Sequence, residues 1–364
     1  MKLTLNGRFL QRRITGVERL ALELSRAIGE ILSESGAANI DVVVPARGDI
    51  VRETAIALGT PGPVITATGR FGGQLWEQVE LPKERPDAWL LSLCNIGPMI
   101  RRRQAVIICD AQFILHPKSY SIVFRLWYRF VLTVLSRRAE AVFTISEFSK
   151  SQLERYGIVP QGKAHVLKLG VDHLFSSAYD HGVLSRHGLK GKRYLFAIGS
   201  LAPHKNLAML VEAFRAAALQ DVCLVIAGGG NAKLFRDAGL AQAPNIHYLG
   251  RVSDAELHAL YSACLAFACP SLSEGFGFTP LEAMKFGRPV VATTGGAVPE
   301  VCGDAALYAD PSDPAAWSDA LRNVVENDAL REKLGTNALV RVKEFRWRDT
   351  AAQFLSVLRS LDRR

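Results

Sequence analysis

At 364 residues the chain is longer than one typical hydrophobic core, so we expect two domains. Apolar residues make up 49% of the chain and charged residues 22%, which is typical of an ordinary globular protein. The net charge of +9 lies mostly in the first half, and the chain holds no nucleic-acid recognition motif, so we expect no nucleic acid as a partner. The basic half indicates either a solvated surface or contact with anionic lipid or a pyrophosphate-linked acceptor.

Membrane spans and secretion signals are absent from the sequence pattern. No run of about 18 uncharged apolar residues occurs, and residues 1–6 lead directly into a strand pattern, so we expect a cytoplasmic protein without a transmembrane helix. The six cysteines have no Cys-x-x-Cys spacing, which favours buried free thiols and no zinc site.

In chain order, the first half alternates strand and helix patterns. Strands are predicted over residues 3–5, 41–45, 87–93, 105–110, 141–145 and 165–169. Helices are predicted from Gly16 to about residue 32 and over about 121–138, and Ser146 is placed to cap a third helix with Ser149 at its third position.

The second half repeats this alternation after a variable stretch at 173–192, where we expect the interdomain linker. Its strands are predicted over residues 194–199, 222–227, 246–249, 265–269, 289–292 and 305–308. Buried strands that alternate with amphipathic helices predict an α/β protein with two Rossmann-like, doubly wound parallel sheets. The predicted domains are residues 1–178 and 179–344, and a last amphipathic helix lies within 345–364.

The run 270–284, PSLSEGFGFTPLEAM, carries the strongest functional signal. It follows a predicted strand and reads as a glycine-rich loop followed by a helix that has Pro280 in its first turn. Such a loop directs backbone N–H groups and the positive end of a helix towards one point, which suits a phosphate. Glu274 and Glu282 can then accept hydrogen bonds from hydroxyls on either side of it. The predicted phosphate- and hydroxyl-binding residues of this run are Glu274, Gly275, Phe276, Gly277, Phe278, Thr279 and Glu282.

The loop after the strand at 194–199 also opens a helix. Gly199 and Ser200 begin it, and the Lys205 ammonium is a natural counter-charge for a pyrophosphate. Asn206 is placed to cap the following helix, and His204 is either solvated or functional.

Three further strand ends are candidates. Gly229 lies in a glycine-rich loop after 222–227 that either approaches a nucleotide closely or is a plain turn; it lacks the dinucleotide pattern. Gly16 begins a helix and offers a second anion site, which Arg12 and Arg13 either flank or leave as solvated arginines. Asp110 ends a buried strand, where its carboxylate has either a functional role or a structural one as a helix cap or ion-pair partner.

Residues 124–132 form an apolar helix with Arg125 and Arg129 one turn apart. This pattern fits either a core helix with two snorkelling arginines or a helix that lies on a membrane surface. The basic triplet at 101–103 is a candidate for lipid headgroups.

Together these motifs resemble the family-four retaining glycosyltransferases of the GT-B fold, and among them the bacterial polysaccharide mannosyl and deoxyhexosyl transferases. The resemblance spans nearly the whole chain and rests on the order of its blocks. These blocks are residues 16–19, 145–149, 170–172, 199–206, 250–254, 270–284, 287–290 and 299–305.

The resemblance implies two Rossmann-like domains that face a cleft, with the last helix crossing back to the first domain. The second domain would hold the donor and the first domain the acceptor. Glu282 resembles the ribose ligand, Glu274 the ligand of the donor-sugar hydroxyls, and Lys205 the pyrophosphate lysine. Gly16 resembles the glycine whose amide approaches the diphosphate, and the backbone near Val252 resembles the edge that binds the base.

Two positions depart from the family pattern. Many members carry Arg where this chain has Ser200, and His where it has Cys109. The missing counter-charge is then supplied by His204 or by an arginine of the first domain. The run 75–82, LWEQVELP, is similar to members that use GDP-mannose or related deoxyhexose donors.

The leading hypothesis is a retaining, metal-independent hexosyltransferase with Glu274, Lys205 and Asp110 as its catalytic residues. It would need no cofactor, because the donor is a nucleotide diphosphate sugar. The acceptor would be a glycan or lipid-linked glycan of polysaccharide or lipopolysaccharide biosynthesis, with peripheral contact to the inner membrane leaflet. The absence of an Asp-x-Asp cluster predicts that no divalent metal is required. Two alternatives stay open, a sugar-nucleotide epimerase and a non-catalytic scaffold of polysaccharide assembly.

Overall fold

The computed structural model describes residues 1–36, 40–50, 64–175, 179–229, 240 and 243–363. The chain divides into two compact units. The N-terminal unit comprises Met1–Ile114, Tyr120–Gly170 and Arg346–Arg364, and the C-terminal unit comprises Leu115–Ser119 and Val171–Phe345. Within the described ranges, no helix has the length and apolar character needed to span a membrane.

The N-terminal unit is built on one parallel sheet of seven strands. Its strands are β1 (Leu3–Asn6), β2 (Asp41–Pro45), β3 (Ile65–Thr68), β4 (Trp89–Ser92), β5 (Gln104–Ile107), β6 (Ala141–Thr144) and β7 (Ala164–Val166). Their order is β3-β2-β1-β4-β5-β6-β7, so the direction of winding reverses between β1 and β4. The central strands are buried on both faces, as is usual for parallel sheets covered by helices.

Helices connect these strands. They are α1 (Gly16–Glu34), α2 (Gly73–Val79), α3 (Gln112–Leu115), α4 (Ile122–Arg138) and α5 (Glu147–Arg155). One helix start confirms the predicted cap, because the Ser146 hydroxyl accepts a hydrogen bond from the Ser149 N–H at 2.9 Å. Helix α4 begins one residue after Ser121, whose hydroxyl caps it by accepting a hydrogen bond from the Phe124 N–H at 3.2 Å.

The C-terminal unit contains a parallel sheet of six strands. These are β8 (Arg193–Ile198), β9 (Val222–Ala227), β10 (Ile246–Gly250), β11 (Ala266–Cys269), β12 (Val290–Thr293) and β13 (Ala306–Ala309). Its helices are α6 (Gly182–Arg186), α7 (Leu207–Ala216), α8 (Asp254–Ala263), α9 (Phe278–Lys285), α10 (Val298–Cys302), α11 (Pro314–Glu326) and α12 (Asp328–Arg341). The strand order β10-β9-β8-β11-β12-β13 places the reversal of winding between β8 and β11.

The last helix, α13 (Trp347–Asp362), returns to the N-terminal unit and packs against α1. Arg348 forms an ion pair with Glu34 at 2.6 Å, and the Phe354 ring stacks on Phe143 with centroids 4.5 Å apart. Gly170 permits the crossing, because a Cβ there would lie 2.2 Å from the Trp347 backbone nitrogen. Two of the points at which the chain changes unit, after Gly170 and after Phe345, are adjacent, and the Val171 N–H donates to the Phe345 carbonyl at 3.0 Å.

The fold class predicted from the sequence is confirmed, with two doubly wound α/β units. Strand β3 and helix α2 are not among the elements that the sequence predicts. The predicted domain boundary after Ala178 falls outside the described residues, and the longer segment of the C-terminal unit begins at Val171.

Candidate functional site

The candidate site lies at the reversal of winding in the C-terminal unit. In open parallel sheets, the loops that follow the two strands flanking this reversal diverge and leave a crevice for ligands. Here those loops follow β8 and β11, and they carry Lys205 and Glu274. The fold therefore brings together the two residues that the sequence places at the centre of the site.

Lys205 and Glu274 form an ion pair across this crevice. The Lys205 Nζ lies 2.7 Å from Glu274 Oε1, and the Ser271 hydroxyl donates to the same oxygen at 2.6 Å. The side chains are 26% and 19% exposed, so solvent screens the pair only in part. Burial raises the pKa of Glu274, but the Lys205 charge and the two hydrogen bonds outweigh it and hold this pKa below its usual value. The carboxylate is therefore charged at neutral pH.

The loop between β11 and α9 makes the turn that the sequence predicts. Gly277 has a φ of +117°, a backbone conformation that residues other than glycine rarely adopt, and it precedes the first residue of α9. Pro280 lies in the first turn. The N–H groups of a first helical turn have no partner within the helix, so the Gly275–Phe278 segment ends on a positive helix terminus.

Gly295 and Gly296, which the sequence pattern does not single out, support this loop. A Cβ at Gly295 would lie 2.2 Å from the Leu272 carbonyl oxygen. Gly296 has a φ of +73°, and a Cβ there would lie 2.4 Å from the Glu274 nitrogen. Ala297 then donates its N–H to the Glu274 carbonyl at 2.9 Å. The available signal was a Gly-Gly step directly after a buried strand.

The loop that carries Lys205 is fixed by Asn206, although not in the predicted way. Asn206 adopts a left-handed conformation at the start of α7, and its side chain makes no capping hydrogen bond. Its amide nitrogen instead donates to the Pro270 and Pro311 carbonyls at 3.1 and 2.8 Å. Asn206 thus ties the Lys205 loop to the loops after β11 and β13, because its αL backbone points the side chain away from the helix.

Glu282 lies in α9 and is held by a buried tyrosine. The Tyr261 hydroxyl donates to Glu282 Oε2 at 2.9 Å and also contacts the Thr279 carbonyl at 3.2 Å. Burial and the Glu282 charge both raise the pKa of Tyr261 well above its usual value, so this hydroxyl stays protonated and remains a donor. Tyr261 is a further residue that the sequence analysis misses, because it reads as a core position of α8.

The other predicted residues of this unit also lie at carboxyl ends of strands. Gly199 and the exposed Ser200 follow β8, Gly229 follows β9, and the half-buried Val252 follows β10. Gly228 allows the approach of the first two loops, since a Cβ there would lie 2.7 Å from the Gly199 carbonyl oxygen. The glycine-rich loop of Gly229 continues in the sequence with Gly230 and Asn231, which lie outside the described residues.

Gly16 and Asp110 belong to the N-terminal unit. Gly16 is exposed at the first position of α1, where the Thr15 N–H donates to the Glu18 carboxylate at 3.3 Å. A carboxylate thus already lies at this helix terminus. Asp110 accepts a hydrogen bond from the Gln112 N–H at 3.0 Å, which begins α3. Cys109 is buried, and burial raises the pKa of its thiol well above the usual value.

All six cysteines are free, and five of them are buried, as the sequence predicts. Among the described residues, no group of three or more His, Cys, Asp or Glu side chains is arranged to hold a metal ion.

The chain is similar to known glycosyltransferases. Residues 185–341 match the family described as glycosyl transferases, group 1. The O-antigen chain mannosyltransferase B of Escherichia coli is 32% identical over 236 residues, which cover 61% of each chain. A D-rhamnosyltransferase of Pseudomonas aeruginosa is 32% identical over 161 residues, or 42% of each chain. The match to the mannosyltransferase thus spans less than two thirds of that protein.

One solved structure extends the likeness to the whole fold. HepE of Anabaena, crystallised with UDP and glucose, has a TM-score of 0.76 and 17% identity, covering 99% of this chain and 100% of its own. This likeness concerns the fold. The predicted resemblance to polysaccharide glycosyltransferases is confirmed, and the family match falls within the C-terminal unit, which holds Lys205, Glu274 and Glu282.

The Gly296→Ala variant tests the support of the Glu274 loop. The added Cβ forces the Glu274 backbone to move, so we expect unfolding free energy to fall by about 3 kcal/mol or more and ligand affinity to fall with it. The matched control is Gly188→Ala, since Gly188 has a φ of +62° with no atom within 4 Å of its Cβ position. It carries the backbone strain alone, at about 1 kcal/mol. Chemical denaturation measures the unfolding free energy of both variants. Equal losses of unfolding free energy in the two variants would contradict the proposed contact between Gly296 and the Glu274 backbone.

The pH dependence of stability tests the ion pair. Lys205→Met leaves the Glu274 carboxylate without its counter-charge, which at pH 7 costs about 1–3 kcal/mol of unfolding free energy. Because the pKa of Glu274 is lowered on folding, the pair stabilises the protein above the usual value of 4.5 and loses this effect as pH falls through the folded-state pKa.

We therefore expect the difference in melting temperature between wild type and Lys205→Met to narrow as pH falls below 4.5. Arg322→Met, which removes the exposed pair with Asp319, is the control and leaves melting nearly unchanged at any pH. A wild-type advantage over Lys205→Met that stays constant with pH would contradict the assignment.

Proposed function

We propose that this protein is a retaining, metal-independent glycosyltransferase that moves a hexose from a nucleotide diphosphate sugar to a sugar hydroxyl. The observation that carries the proposal is the Lys205–Glu274 pair at the reversal of winding, beside the amide-rich turn that begins α9. The donor carries a diphosphate between two groups of hydroxyls. The ammonium and the helix terminus at this place suit the diphosphate, and the two carboxylates suit the hydroxyls.

The donor would lie along these loops. Its diphosphate would sit between the Lys205 ammonium and the backbone of Gly275–Phe278, where positive charge and N–H groups converge. Glu282, oriented by Tyr261, would accept hydrogen bonds from the ribose hydroxyls, and Glu274 would accept them from the hexose. Gly199, Ser200, Gly229 and Val252 would line the nucleotide from neighbouring loops.

The chemistry would be transfer with retention at the anomeric carbon. The bond from the anomeric carbon to the β-phosphate oxygen breaks, and the bond to the acceptor oxygen forms on the same face. The proton of the acceptor hydroxyl passes to the leaving phosphate, so no covalent glycosyl-enzyme is needed. Lys205 and the helix terminus would stabilise the charge that develops on that phosphate, and Asp110 would help to position the acceptor. The lack of an Asp-x-Asp cluster in the sequence supports independence from divalent metals.

The sugar and the acceptor are inferred from the relatives. The mannosyltransferase and rhamnosyltransferase names of two relatives favour mannose or a related deoxyhexose. The run at 75–82 spans the C-terminal part of α2 and the turn after it. Its likeness to members that use GDP-mannose or related deoxyhexose donors favours a GDP-linked donor. The O-antigen role in the first relative's name favours a growing polysaccharide or a lipid-linked oligosaccharide as acceptor.

A peripheral contact with an anionic membrane surface is the second part of the proposal. Helix α4 exposes a set of large apolar side chains: Ile122, Val123, Phe124, Leu126, Trp127 and Phe130. The helix has four arginines and no acidic residue. The Trp127 indole N–H donates to Gln74 at 2.8 Å, so α2, with its exposed Leu75 and Val79, adjoins the same surface. Apolar insertion beside arginines suits a negatively charged leaflet, where a lipid-linked acceptor would be presented.

Donor binding and turnover are tested together. In a thermal-shift panel of GDP-, UDP-, TDP- and ADP-sugars, we expect the sugars of one nucleotide base to raise the melting temperature of the protein, because only the folded state binds them. With that donor and a glycan acceptor, Lys205→Ala and Glu274→Ala should lose about 100-fold or more of the rate of nucleoside diphosphate release. EDTA should leave the wild-type rate unchanged.

Arg322→Ala serves as the control for these variants and should keep the wild-type rate. Wild-type turnover in both folded variants would refute the assigned roles. Conversion of the donor without any acceptor, followed by NMR, would favour an epimerase instead.

Vesicle binding tests the α4 surface. The triple variant Ile122→Ser, Val123→Ser, Leu126→Ser should bind phosphatidylglycerol-containing vesicles at least about tenfold more weakly, since each lost side chain removes apolar insertion energy. Phosphatidylcholine vesicles should bind weakly in every case. Leu339→Ser with Val340→Ser, exposed on α12, is the control and should bind like wild type. Equal binding by the triple variant and wild type would refute the membrane contact.

A further inference from the structure

The segment Leu115–Ser119 packs with the C-terminal unit, although the residues on both sides of it belong to the N-terminal unit. It lies against the loop that carries Lys205. The Ser119 hydroxyl is 3.0 Å from His204 Nδ1, and the His116 ring stacks on the His204 ring with centroids 5.6 Å apart and planes 25° apart. His204 in turn accepts the Leu272 N–H on its carbonyl at 2.8 Å, which ties this loop to the one that bears Glu274.

His116 has a buried ring nitrogen. Its Nε2 is shielded from solvent and has no hydrogen-bond partner within the part of the chain that the structure describes. A buried polar atom left in this way destabilises the fold, so it calls for an explanation. The group is close enough to Glu274 for that carboxylate to raise its pKa, while burial lowers the pKa below its usual value more strongly. The imidazole is therefore neutral at pH 7 and sits beside the residue assigned to the hexose.

We propose that His116 Nε2 hydrogen-bonds a hydroxyl of the donor hexose, on the side of that sugar facing the Lys205 loop, and so helps to select the sugar. A neutral imidazole nitrogen can donate to a hydroxyl or accept from it, which makes it a suitable partner for a sugar. The diphosphate is a poorer match, because Lys205 already supplies charge there and burial opposes a second cation. The stack on His204, itself held by Ser119, fixes the ring in place. The inference rests on the proposed function, since it needs the hexose beside Glu274.

The test separates the sugar from the nucleotide. Affinities of purified wild type, His116→Ala and His116→Gln are measured by calorimetry for GDP-mannose and GDP, and for UDP-glucose and UDP. His116→Ala should lower the affinity for the sugar nucleotide by about five- to tenfold, because one hydrogen bond is lost. The affinity for the matching nucleoside diphosphate should stay unchanged. His116→Gln, which keeps a polar nitrogen near the position of Nε2, should recover part of the loss. Lys118→Ala, exposed on the same segment, is the control and should match wild type.

Each other outcome has a distinct meaning. Equal weakening of sugar nucleotide and nucleoside diphosphate in His116→Ala, or no weakening of either, would overturn the role of His116 while leaving the proposed function intact. Failure of wild type to bind any of the four ligands would overturn the proposed function itself. The melting temperature of each ligand-free variant shows whether it folds, and a loss confined to the sugar nucleotide in the folded His116→Gln variant supports the assignment even if His116→Ala does not fold.

Discussion

The ion pair between Lys205 and Glu274 is the interaction on which the C-terminal unit's site depends. It joins the two loops that diverge where the winding of the sheet reverses, and it places the Lys205 and Glu274 side chains 2.7 Å apart in a partly buried crevice. Such a pair is weak evidence for stability, because desolvation offsets much of its attraction. Its placement is better explained by a ligand that offers an anion to the lysine and hydroxyls to the glutamate.

The surroundings of the pair consist mainly of backbone that must come close. Gly277 opens α9, Gly295 and Gly296 lie against the Glu274 loop, and Gly228 lies against Gly199. Asn206 and Tyr261 add side-chain anchors on the Lys205 and Glu282 sides. These contacts rigidify the loops before any ligand arrives, which lowers the conformational entropy that binding must offset.

Much of the fold and part of the candidate site could be predicted from the sequence, because buried apolar strands and amphipathic helices leave strong periodic patterns. Both sheets, the cap at Ser146 and the loop-to-helix turn at Gly277 follow from local residue choice. Strand β3 was missed because its residues are only partly buried and alternate weakly, and α2 because it is short. Asn206 was misread because its partners, the Pro270 and Pro311 carbonyls, are distant in sequence. Gly296 and His116 were missed for the same reason, since their contacts appear only when separate loops meet.

A crystal of the protein soaked with its preferred sugar nucleotide would show where the donor binds. We expect the diphosphate within hydrogen-bond distance of Lys205 Nζ and of the backbone amides of the Gly275–Phe278 segment, with Glu274 turned to the hexose. A ligand bound elsewhere, with the Lys205–Glu274 pair unchanged, would contradict it.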